Sequence, residues 1–75
     1  MKVERTVGDR LRSLRAERNL SQRALAQLAN ISPNSISLIE RDEISPSVAT
    51  LQNLATALHV RVSYFFEEET EQSVL

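Results

Sequence analysis

Seventy-five residues leave room for one small hydrophobic core and a single domain. With no cysteine, neither a disulfide framework nor a thiolate metal site can hold it together, which fits a reducing, cytoplasmic compartment; the charged N-terminus excludes a signal peptide, and no apolar run approaches a membrane span. The net charge of −1 divides into +4 over residues 1–41 and −5 over residues 42–75, so the chain has a basic pole that attracts phosphate, unless those arginines simply solvate a helix face.

Helical periodicity dominates, and no alternating run bounded by turn residues argues for a strand. The first helix begins after Thr6 as N-cap, with Asp9 three residues on, and places Val7, Leu11 and Leu14 on one face. It ends near Arg18, with Asn19 as its exit. Ser21 caps a short second helix in which Leu25 and Leu28 face the core beside Ala24, Ala26 and Ala29. Ser32 followed by Pro33 marks the start of a third helix, because serine is a favoured cap and proline is tolerated where the N–H has no partner anyway. That helix runs to about Arg41 with Ile36 and Ile39 inward. A loop from Asp42 to Pro46 leads to a fourth helix opened by Ser47, whose stripe is Val48, Leu51, Leu54, Ala55 and Leu58. A short fifth helix follows from Val62 to Phe66. Residues 67–75 are an acidic tail without periodicity, read as disordered or as the start of a linker, so that the domain proper is residues 1–66.

The only glycine, Gly8, lies early in the first helix and not at a turn. Three helix exits fall instead on Asn30, Asp42 and His59, residue types enriched at positive φ, which predicts a left-handed backbone at two or more of them.

Two short helices joined by the turn Leu28 to Ser32 make a helix-turn-helix, the arrangement that can place its second helix in a major groove. Arg10-Leu11-Arg12, Leu20-Ser21-Gln22, Leu25-Ala26, Ile36-Ser37, Ile39-Glu40-Arg41, Pro46-Ser47, Thr50-Leu51 and Ala55 through Leu58 together resemble the Cro/phage-repressor (Xre) helix-turn-helix family over residues 6 to about 66. The resemblance implies an all-α, compact, lambda-repressor-like bundle of five helices with the third as recognition helix, and a transcription regulator, by default a repressor, that binds double-stranded DNA. It implies a phosphate contact from Gln22, with Arg23 and Ser32 beside it. The glutamine that braces this residue in phage repressors is replaced here by Pro33, so bracing by Gln22 is not expected. It also implies a partly buried salt bridge between Arg15 and Glu40, structural in role.

With Ile36 and Ile39 inward, Asn34, Ser37, Leu38 and Arg41 face outward. Asn34 can pair bidentately with adenine and Ser37 can donate or accept; Leu38 either meets a thymine methyl or is a plain exposed leucine; Arg41 contacts phosphate or complements the helix C-terminus. One such domain reads too few base pairs alone, so a homodimer on a two-fold symmetric site is expected, through Val60, Val62, Tyr64, Phe65 and Phe66, with one of the two phenylalanines closing the bundle.

The phrase Ser45 to Leu51 resembles the subset of the family whose DNA-binding domain precedes a cupin-type ligand-binding domain, which would make this chain a fragment; a complete chain would resemble the small stand-alone regulators instead. No cofactor, metal site or membrane contact is implied. Enzyme chemistry is not expected, since the single histidine is a helix exit and the carboxylates gather in the tail. The competing class is an antitoxin-type protein-interaction module with secondary DNA binding. Steep salt dependence would separate the two: three to five phosphate contacts per monomer give a dimer a log-log slope of about −5 to −9.

Overall fold

The computed structural model describes residues 2–3, 5–67 and 69–70. Four α-helices follow one another: α1 (Val7–Glu17), α2 (Gln22–Ala29), α3 (Pro33–Glu40) and α4 (Val48–Leu58). Val62–Phe66 then forms a single 3-10 helix, in place of the fifth α-helix expected over the same residues. Lys2–Val3 (β1) and Glu69–Thr70 (β2) pair antiparallel, with Lys2 opposite Thr70 and Val3 opposite Glu69. A two-residue ladder is too short to leave a periodicity in the sequence. Of the acidic tail, residues 68 and 71–75 lie outside the described residues.

Each helix starts at the hydroxyl the sequence offers. Thr6 accepts from the N–H of Asp9 at 3.0 Å, Ser21 from Ala24 at 2.9 Å, Ser32 from Ser35 at 3.0 Å and Ser47 from Thr50 at 3.1 Å, so each helix has one otherwise unpaired N–H satisfied. The exits are equally regular. Asn30, Asp42 and His59 all have φ near +60°, and Asn19 joins them at 57°. Past each of these the chain closes the same pair of bonds, for example Asn30 N–H to the Gln27 carbonyl at 3.3 Å and Ile31 N–H to the Ala26 carbonyl at 3.0 Å. The residues that follow, Leu20, Ile31 and Val60, pack against the core, as the hydrophobic contact of this closure requires; the fourth is Glu43.

The core is Leu11, Leu14, Leu25, Ala26, Ala29, Ile36, Ile39, Leu51, Leu54, Ala55, Leu58 and Phe65. Two expected members are absent. Leu28 is 60% exposed, and Val48 at the head of α4 is exposed too. At about 100° per residue, Leu28 stands roughly 100° from the centre of the face made by Leu25, Ala26 and Ala29, too far round a short helix to be covered.

Gly8 is explained by packing. A Cβ there would stand 2.9 Å from the Glu40 carbonyl oxygen and 2.6 Å from Asp42 Oδ1, and would also strike the Ile39 carbonyl, so α1 lies directly on the end of α3. Asp42 completes this junction. Its carboxylate accepts from the Thr6 hydroxyl at 2.9 Å and from the Gly8 N–H at 3.2 Å, placing a negative charge at the N-terminus of α1.

Candidate nucleic-acid interface

α2 and α3, eight residues each, are joined by Asn30, Ile31 and Ser32. The turn is shorter than the Leu28 to Ser32 stretch expected, because α2 continues through Ala29. The left-handed backbone at Asn30 makes so abrupt a reversal possible without glycine.

α3 is gripped from inside. Ile36 and Ile39 enter the core, and the Glu40 side chain, 3% exposed, accepts from Arg15 Nε at 2.6 Å and Nη2 at 3.1 Å and from Gln22 Nε2 at 3.0 Å. Arg15 also donates to the Leu20 carbonyl at 2.8 Å. One carboxylate therefore ties α1 and α2 to the end of α3. The hydrogen bond that Arg15 donates to Glu40 raises the pKa of Arg15 above its ordinary value, with burial opposing and charge attraction adding. The Arg15–Glu40 pair is where the sequence placed it, whereas Gln22 departs from expectation: it does brace α3, through Glu40 and not through the residue at position 33.

The opposite face of α3 carries the remaining residues singled out. Asn34 and Arg41 are exposed, while Ser37 and Leu38 are half-buried, so Leu38 is less open than a surface leucine. Arg41 Nη1 lies 3.4 Å from Glu43 Oε2 in an exposed ion pair, worth at most about 1 kcal/mol and readily exchanged for another anion. Arg23 is exposed on the first turn of α2. The Ser32 hydroxyl caps α3 and donates to Ser35 Oγ at 2.9 Å, so its own hydrogen is already engaged.

The 3-10 helix corrects one assignment. Phe65, expected at a dimer surface, is 1% exposed and closes the core, edge-on to Tyr64 at 5.5 Å between ring centres. Val60, Val62 and Tyr64 are partly buried against that core, which leaves Phe66, 61% exposed, as the outward aromatic. Ile44 and Phe66 line one shallow groove together with Val7, Pro46 and Leu51.

Part of the basic pole is engaged within the molecule, although Arg12 and Arg18 stay exposed. Arg10 is buried, Arg15 is bound to Glu40, and Arg18 donates to the Leu58 carbonyl at 3.0 Å and 3.3 Å, holding the end of α4. Arg12 pairs with Asp9 at 3.0 Å. Sequence reasoning missed the inward turn of Arg10, although the residue stands three positions after Val7 and four before Leu14, on the apolar stripe. It also missed Asp42 as a cap for α1, which no local pattern signals.

Residues 11–65 match the helix-turn-helix family. The immunity repressor protein of Bacillus phage phi105 is 46% identical over 65 residues, which are 87% of this chain and 45% of that protein. The HTH-type transcriptional regulator PuuR of Escherichia coli (strain K12) is 41% identical over 61 residues, 81% of this chain and 33% of PuuR. This chain thus spans less than half the length of these curated relatives. Among solved structures, the P22 c2 repressor protein in complex with synthetic operator 9T superposes with a TM-score of 0.78 at 31% identity, over 83% of this chain and 94% of the other.

Proposed function

The chain belongs to the Xre/Cro-type helix-turn-helix family, and from that premise we propose that it is the DNA-reading domain of a transcription regulator, a repressor by default, acting as a homodimer on a two-fold symmetric operator. The observation that carries the reading is the two-sided character of α3. Its inner side is locked by Ile36, Ile39 and Glu40, while Asn34, Ser37 and Leu38 are left outward on a rigid support. A helix held this way can present Asn34 to an adenine edge, with Ser37 beside it and Leu38 against a thymine methyl. Gln22, Arg23 and Arg41 flank this face as phosphate contacts, joined by Ser32 through its backbone N–H because its hydroxyl hydrogen is held by Ser35, with the N-terminus of α2 contributing free N–H groups.

That a similar fold has been captured on operator DNA supports the reading. Dimerisation would use Phe66 with the outer parts of Val60, Val62 and Tyr64, Phe65 being withdrawn into the core. The relatives are longer than the matched segment, which leaves room in the whole protein for the cupin-type ligand-binding domain that the Ser45 to Leu51 phrase suggests.

The test is selection of sites from a random duplex pool by the purified chain at two salt concentrations. A two-fold symmetric site should be enriched, and Asn34→Ala should relax preference at one base pair per half-site by about 1–3 kcal/mol while leaving the others unchanged. Absence of any enriched site would reject sequence-specific reading by this domain and transfer the weight to an antitoxin-type interaction module.

A further inference from the structure

Arg10 projects from α1 into the interior, 2% exposed, and lies against the 3-10 helix. Nη1 donates to the Tyr64 carbonyl at 3.0 Å, Nη2 donates to the Glu67 carbonyl, and the guanidinium carbon stands 5.7 Å from the centre of the Tyr64 ring. Among the described residues no carboxylate forms an ion pair with it, and Nε has no hydrogen-bond partner. A buried cation satisfied by two neutral carbonyls and a ring face is a poor way to stabilise a core, where a leucine on the same stripe would pack at no such cost.

What the guanidinium supplies and a leucine does not is direction. Its planar fork binds two carbonyls three residues apart and so sets both the rotation and the height of the segment they belong to. A five-residue 3-10 helix has almost no intrinsic stability, and its orientation has to be imposed from outside. Phe65 anchors it at one point; the two bonds from Arg10 remove the remaining freedom to turn about that anchor, which decides that Phe66 points outward.

We propose that Arg10 is the positioning residue of the dimer surface, holding the 3-10 helix in the one rotation that presents Phe66 and the edge of Tyr64 to a second copy of the chain. This rests on the reading that this surface pairs two copies, and the experiment separates the two ideas. Dimerisation is measured by sedimentation equilibrium for the wild type, Phe66→Ser and Arg10→Met, alongside affinity for the full selected operator and for an isolated half-site. Arg10→Met should weaken dimerisation about tenfold or more and weaken full-operator binding with it, at unchanged helix content and with half-site affinity within about twofold. Fusing two Arg10→Met copies in tandem should restore operator affinity. Arg10→Lys, which keeps the charge but not the fork, should fall between, and it takes over the same comparison should Arg10→Met fail to fold.

Wild-type dimerisation by Arg10→Met, or equal loss at half-site and full operator, would overturn the role of Arg10 alone if Phe66→Ser still abolishes pairing. If Phe66→Ser dimerises normally, the surface itself is wrong and the proposal falls with it.

Discussion

At the scale of single residues, Glu40 is the most consequential side chain of α3. Its carboxylate collects three hydrogen bonds while almost wholly buried, and its removal leaves Arg15 without a counter-ion and Gln22 without an acceptor. Glu40→Ala should cost about 3–5 kcal/mol in urea denaturation, against no more than about 0.5 kcal/mol for Glu67→Ala at an exposed side chain. The pH behaviour of Arg15 follows from the direction of its shift. The folded-state pKa of Arg15 is raised, so the stability it contributes is fully present below the unfolded value and is lost only as pH rises through the higher folded value, in strong alkali. Arg15 therefore adds no pH dependence near neutrality. Gly8 is the second such residue: alanine would gain about 1 kcal/mol of helix propensity but force its Cβ onto two backbone carbonyls. Gly8→Ala should be net destabilising by about 1–3 kcal/mol, read from the same unfolding curves.

At the scale of elements, caps and exits were legible because each depends on a residue type at one position. A serine or threonine hydroxyl begins every α-helix, and an asparagine, aspartate or histidine ends it at positive φ. The left-handed backbone costs a non-glycine residue about 1–2 kcal/mol, of which glycine would return part after its own entropic loss of about 0.5–1 kcal/mol. His59→Gly should thus stabilise the domain by about 0.5–1 kcal/mol, seen as a rise of several degrees in Tm, provided the exit of α4 keeps its two closing bonds. Less legible was the last element. Its residues were located, but not that Val62–Phe66 tightens into a 3-10 helix whose Phe65 enters the core and whose Tyr64 carbonyl accepts from Arg10, 54 positions away, contacts that no local pattern contains.

For the whole molecule, the charge division overstated the surface available to phosphate. Arg10, Arg15 and Arg18 are held by partners within the fold, so on the proposed reading the cations left for phosphate are Arg23 and Arg41, helped by helix N-termini. With two such cations per monomer and four per dimer, salt dependence of operator binding should fall just below the shallow end of the expected range, with a log-log slope of about −4, and Arg23→Gln should flatten it by about one unit per monomer. A slope near zero, measured by fluorescence anisotropy across a salt series, would contradict phosphate anchoring altogether.

The sequence by itself determined the helix order, the four caps, the left-handed exits and the helix-turn-helix family pattern, because these are written in local residue types and a period of 3.6. Only the tertiary structure decided which polar groups find partners on distant elements. Arg10, Asp42 and Gln22 look like surface residues one at a time, yet each finds its partner 54, 34 and 18 positions away in the chain. The same holds for Leu28, exposed against its expected place in the core, and for which of the two phenylalanines closes the bundle, Phe65 and not Phe66. The reason is geometric: periodicity says which residues share a face, but what covers that face depends on the packing of helices that no local pattern contains.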